Sequence, residues 1–164
     1  MKKMRGRVGN ERGTYVVEFA LILPLFFMLI LGIIDFGRYF FAQHTLQFAT
    51  REGTRLALVG RTLIDPGTGN ALSREASIVW TIRDNADSAL DLSRLSINIY
   101  PVQSNFSDPQ GWEGQLNAGA PGDYMRVRSQ YTFEFLTPMI GNFFSPSGTT
   151  GMRAEATYRN ELFE

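Results

Sequence analysis

The sequence predicts an α+β fold built on one long N-terminal transmembrane helix, and three observations carry that prediction. A largely apolar stretch from Thr14 to Ile34 passes directly into a run of small and apolar residues at helical spacing. A second helical pattern follows a turn cluster. Later segments alternate apolar and polar residues with the period of a strand, so an outer domain with a second helix and a small antiparallel sheet should pack on the first helix.

The chain begins with a basic head, in which Lys2, Lys3, Arg5, Arg7 and Arg12 stand against Glu11 alone. Thr14 to Ile34 is 21 residues, and from Val16 on it is interrupted only by Glu18, Pro24 and Gly32. A hydrocarbon core about 30 Å thick needs roughly 20 helical residues, so this stretch can span a bilayer. Pro24 has no amide proton and should kink or loosen the helix, which membrane helices tolerate. Positive charge before the span, with Asp35 and only Arg38 just after it, puts the N-terminus in the cytoplasm and residues 36–164 outside it. Removal of the span as a secretory signal is disfavoured, because it ends in "DFGRYFFAQH" with no small-residue cleavage pattern. Glu18 has two readings: a carboxylate near the headgroups, where its cost is small, or one that marks a partner inside the membrane.

Beyond Asp35 the helical pattern continues as Ala42, Leu46, Ala49, Gly53, Leu56 and Gly60. One helix from Thr14 to about Val59 would measure roughly 70 Å at 1.5 Å per residue. The stripe should form core within the chain, and its small residues also permit helix packing between subunits. "DPGTGN" at Asp65–Asn70 is a turn cluster. Ser73 should N-cap a second helix over residues 73–90, with Glu75 in its first turn. Leu95, Ile97 and Ile99 should line one face of a strand ending near Pro101, and residues 102–122 read as a long loop. Tyr124–Phe135 should be the longest strand, with Met125, Val127, Ser129, Tyr131, Phe133 and Phe135 on one face. "PMIGNFFSPSG" reads as a short helical turn or loop, in which "NFF" with Met139 and Ile140 either packs over the sheet, the favoured reading, or forms an exposed apolar patch for a partner, and Met152–Asn160 reads as the final strand.

Composition restricts the chemistry. There is no cysteine, which removes disulfides, thiolate metal sites and thiol nucleophiles. One histidine, His44, sits among helix-surface residues and is a poor basis for a zinc site. Net charge is zero, so there is no electrostatic footprint for nucleic acid. Asp84, Asp87 and Asp91 could edge a weak cation site, as could Asp108, Glu113 and Asp123, but neither group has the spacing of a calcium loop. No cofactor or metal site and no catalytic grouping is expected.

"RG-TYVVEF" changes the weight on Glu18. It resembles the processing motif of type IV pilin-like precursors: a basic leader ending in Gly13, then a hydrophobic helix starting at Thr14 with Glu18 as its fifth residue. With Glu18–Phe19–Ala20, Pro24, Gly32, Phe36–Gly37 and "ATREGTR" at Ala49–Arg55, the first 60 or so residues resemble the TadE-like family, the minor pseudopilins of the tight-adherence (Tad/Flp) pilus. "MRAEATYRNE" at Met152–Glu161 echoes the family's closing strand more weakly. A mature chain beginning with Thr departs from the usual aromatic or Met.

The resemblance implies a division into a basic leader at 1–13, a transmembrane helix at 14–35, its outer extension at 36–62 and an extracytoplasmic α+β domain at 63–164. It implies processing at Gly13–Thr14 by a prepilin peptidase and assembly through Glu18 and Pro24, with Ala42, Leu46, Ala49, Gly53 and Leu56 as the packing stripe. Glu18 would pair with the new α-ammonium of a neighbouring subunit. The implied partners are the prepilin peptidase, the other minor pilins or pseudopilins and the major pilin of the Tad system, the inner-membrane assembly platform and the lipid bilayer. The implied place is the inner membrane, as a single-pass protein, or the pilus itself, and the TadE and TadF roles are not separated. The rival reading is an uncleaved single-pass protein whose outer domain binds a ligand or partner; an exported enzyme lacks the groupings it would need.

Overall fold

The computed structural model describes residues 11–162; the basic residues from Lys2 to Arg7 lie outside it. The order of elements is α1 (Glu11–Leu58), α2 (Arg74–Ala86), a 3-10 turn at Leu92–Arg94, β1 (Leu95–Pro101), β2 (Tyr124–Glu134), α3 (Pro138–Phe144) and β3 (Thr149–Arg159). The three strands form one antiparallel sheet in the order β1-β2-β3. With the long apolar helix before it and a second helix packed on that, the fold is α+β, as the patterns predict.

α1 is 48 residues long, about 72 Å at 1.5 Å per residue. It starts three residues before Thr14 and continues through Pro24. It ends at Leu58 and not at residue 62, because Gly60 turns the chain away in the left-handed region at φ 66°. The "DPGTGN" cluster folds back as a turn: Asp65 accepts from the Gly67 amide and the Thr68 hydroxyl, and Ile64 bridges Ala71.

Ser73 caps α2, its side chain accepting the Ala76 amide at 3.1 Å. α2 stops at Ala86, four residues short of the expected end. The Ala89 and Leu90 amides both turn back to the Ala86 carbonyl, tightening the chain into a turn that delivers Asp91 as cap of the 3-10 segment.

β1 and β2 pair from Leu95–Tyr131 to Pro101–Met125, and β2 and β3 from Tyr124–Arg159 to Glu134–Thr149. The alternation of β2 gives the core its sheet side: Met125, Val127, Ser129, Tyr131 and Phe133 are buried, as is Phe135 just beyond the strand. They face Ala42, Leu46 and Ala49 of α1 and Ile78, Ile82 and Ala86 of α2 in one cluster. Gly53 lies where α1 and α2 approach closely; a Cβ there would collide with Ile82 and stand 3.3 Å from the Ile78 carbonyl oxygen. Thr50 of α1 and Ser129 of β2 share a buried hydroxyl–hydroxyl hydrogen bond of 2.9 Å. The C-terminal end is tied in by Asn160, whose amide donates to the Ala118 and Ala120 carbonyls.

The second face of the sheet departs from simple alternation. Asn98, Tyr100 and Arg128 are buried on it because the β1–β2 loop folds over that face. The loop runs beside β1, Ile99 exchanging backbone hydrogen bonds with Gln115 and Asn117 at 2.8 Å.

Candidate assembly surface on the long helix

α1 divides into two halves with opposite environments. From Gly13 to Ile34 the described side chains are exposed or half-exposed, and none is buried against the rest of the chain. Tyr15, Val16, Val17, Phe19, Leu21, Ile22, Leu25 and Phe26 are all more than half exposed. Such a surface is not stable in water; it needs lipid or other helices. The helix is long and apolar enough to cross a membrane.

Glu18 is exposed on this bare half, and no side chain among the described residues pairs with it. It lies one turn from Thr14, about 6 Å along the axis. Pro24, also exposed, cannot donate to the Ala20 carbonyl, which leaves one acceptor of the helix ladder open within the apolar surface. The Gly13–Thr14 bond lies in the first turn of α1, where amides have no partner earlier in the helix and unwinding is cheapest.

The outer half is covered. Ala42, Leu46, Ala49 and Gly53 are buried, and Leu56 is half-buried. Thr50 and Ala57 belong to the same buried face and escaped the sequence reading, as did Asp35. Asp35 is fully buried at the junction of the two halves, and its carboxylate accepts the Leu136 and Thr137 amides, each at 2.9 Å. Arg38, one turn on, pairs with it at 3.2 Å. The signal for Asp35 was a lone carboxylate at the end of an apolar run, but its partners are backbone amides that leave no mark in sequence.

Below Asp35, α3 docks on the same stretch of α1. A Cβ on Gly32 would lie 3.4 Å from Ile140, and the Phe36 and Phe144 rings meet edge to face at 6.0 Å. Only part of "PMIGNFF" packs inward, which corrects the favoured expectation of packing over the sheet towards the exposed patch: Gly141 is buried and Ile140 half-buried, while Met139 and Phe143 face outward.

The most charged site outside α1 lies beneath the β1–β2 loop. Arg128 bonds Asp108 and Glu155 at 2.8 Å and lies 4.3 Å from the Trp112 ring centroid. Asp108 also receives Arg126 and the Tyr100 hydroxyl. Burial opposes ionisation of Asp108, but the hydrogen bonds from Arg128 and Tyr100 outweigh it and hold the carboxyl below its ordinary value. Burial, then donation to Asp108, pushes Tyr100 up to about 12. These groups are spent on one another and pin the loop to the sheet. Asp108 therefore does not converge with Glu113 and Asp123, and no cluster of three metal-ligating side chains occurs among the described residues. His44, Asp84 and Ser88 line one open groove, but no hydrogen bond joins them, so they do not make an activated nucleophile.

A helix with a bare apolar half and a packed half within an α+β domain fits a membrane anchor that carries a globular part. The first of its segments is also recognisable by sequence: residues 13–55 match the model of the family described as TadE-like protein. The matched segment starts at Gly13 and takes in the bare half, Asp35 and the packed stripe through Arg55. The likeness to TadE-like proteins is thus one of this N-terminal segment, about a quarter of the chain. No curated protein and no solved structure matches the chain.

Proposed function

We propose that this chain is a minor pilin or pseudopilin that acts in initiating, priming or capping a Tad-type pilus. The observation that carries the reading is the bare half of α1, with exposed Glu18 near its start, joined rigidly to a packed outer domain within the TadE-like segment. The N-terminus is cytoplasmic and the domain lies outside the inner membrane. A prepilin peptidase removes the leader after Gly13, and Thr14 becomes the first residue of the mature chain. The new α-ammonium of one subunit then pairs with Glu18 of its neighbour. In low dielectric the pair is far better than either charge alone, so the pairing fixes helix register as subunits assemble. The protein is a substrate of the peptidase and has no catalysis of its own. Its partners are the other minor pilins, the major pilin and the membrane assembly platform.

The test is a Glu18→Ala chain expressed in place of the native one. Membrane insertion should be unchanged, because the substitution makes the span more apolar, while pilus number falls sharply. Piliation at the native level in that strain would remove the register role from Glu18.

A further inference from the structure

We propose that the tip formed by α3 and its flanking residues, 135–148, is a second membrane-contacting element, seated in the outer headgroup layer of the bilayer that α1 crosses. The proposal rests on the membrane reading of α1 and not on any role in a pilus.

Three observations converge on the tip. The first is its height. α3 touches α1 at Gly32 and Phe36, and its approach is fixed by Asp35. From Thr14 to Gly32 the helix rises about 27 Å at 1.5 Å per residue, close to the roughly 30 Å of a hydrocarbon core. A span that begins at Thr14 therefore brings α3 to the opposite boundary of the apolar layer.

The second is exposure. Leu136, Met139 and Phe143 are 65%, 62% and 86% exposed, and half-exposed Phe144 stacks on Phe135. On α1 at the same level, Phe36 is exposed as well. The apolar surface of the span thus continues onto the tip without a break.

The third is charge. Between Glu134 and Arg153 the chain has no ionisable side chain. The polar side chains of the tip are Thr137, Asn142, Ser145 and Ser147, and the two serine hydroxyls bond to each other and on to Thr149 just beyond it. Charge returns directly above, where Glu134 pairs with Arg94 at 2.6 Å and Arg38 reaches Asp35. An uncharged, aromatic-rich tip below a charged ring is the layering of an interfacial element. It favours lipid over a second copy of the chain, because the contacts at Gly32 and Phe36 hold the tip at the boundary of the layer that α1 crosses. With α1, the tip gives the outer domain two contacts with the membrane, which fixes its tilt and its rotation about the α1 axis.

The natural chain has no cysteine, so single cysteines can be placed without a background. Leu25→Cys, Met139→Cys, Phe143→Cys and Ser104→Cys are each made in the full chain, spin-labelled and reconstituted in vesicles of phosphatidylethanolamine and phosphatidylglycerol. All four side chains are exposed, so the fold tolerates the label. Collision with oxygen and with a water-soluble nickel complex then reports depth. The expected result is a label at Leu25 deep in the hydrocarbon, one at Ser104 fully aqueous, and labels at Met139 and Phe143 several-fold less accessible to nickel than Ser104. Aqueous labels at Met139 and Phe143 with Leu25 buried would overturn the proposal and leave the anchor intact. An aqueous Leu25 would overturn both. Dipolar broadening between labels at Phe143, lost on dilution with unlabelled chain, would show that a second copy covers the tip and also overturn it.

Discussion

The carboxylate of Asp35 accepts the backbone N–H of Leu136 at 2.9 Å, and the two residues are 101 positions apart. The bond joins the end of the apolar half of α1 to the chain between β2 and α3. Thr137, the residue before α3, gives its side chain no capping role, and its amide is the second donor to Asp35. One buried carboxylate therefore sets where the tip meets the long helix.

Replacing Asp35 by Ala should strand two amides at a buried position. A hydrogen bond to a charged group contributes about 1.5–3 kcal/mol, so a loss of roughly 3 kcal/mol in unfolding free energy is expected. Asp35→Asn keeps one acceptor and should lose less. Denaturant unfolding of the full chain in detergent, followed by near-ultraviolet circular dichroism, measures both; equal stability of native and Ala chains would show that this contact does not hold the junction.

Gly53 should tolerate no side chain. The Cβ of Gly53→Ala meets Ile82 and the backbone of α2 at Ile78, so the helices must separate. Overpacking of this kind costs about 1–3 kcal/mol, partly offset by the better helix propensity of Ala. The same unfolding measurement checks it, and Gly37→Ala is the control, since nothing lies within 4 Å of a Cβ there. A Gly53→Ala chain as stable as the control would mean that α1 and α2 cross elsewhere.

The Asp108–Arg128 site should make the domain sensitive to acid. Asp108 is held below its ordinary value of 3.8, so its contribution is complete above that value and is lost as pH falls through the lower folded value. Asp108→Asn should flatten this part of the stability profile below about pH 4. Arg128→Ala should cost more, about 3 kcal/mol, because Arg128 is only 4% exposed and its loss leaves Asp108 and Glu155 without their shared cation. An unchanged acid limb in Asp108→Asn would shift the origin of the acid sensitivity to other carboxylates.

Gly13→Leu should stop leader removal without releasing the protein from membranes, since the apolar span is intact. The full-length form should accumulate in the membrane fraction on immunoblots. Continued processing at the same bond would show that Gly13 does not define the leader end.

Much of the architecture was legible because burial here follows local periodicity. Met125 to Phe135 alternates cleanly, and Ala42, Leu46, Ala49 and Gly53 recur at helical spacing, so the core faces of β2 and α1 could be read directly. The burial of Asn98, Tyr100 and Arg128 could not, since it depends on a loop folding back over the sheet face that alternation assigns to solvent. The end of α2 at Ala86 was missed because "DSAL" is compatible with helix and the turn there is set by packing of Leu90. In the candidate assembly surface, Glu18 and Pro24 stood out as interruptions of an apolar run. Asp35 was read only as a charge beyond the span, because its backbone partners lie more than a hundred positions away.

The central claim is that Thr14 begins the mature chain and Glu18 is its fifth residue. Intact mass and N-terminal sequencing of the protein from native membranes, with and without the prepilin peptidase, test it directly. The account predicts a chain that starts at Thr14 when the peptidase is present and at Met1 when it is absent. A chain that starts at Met1 in both would contradict it and leave an uncleaved membrane anchor.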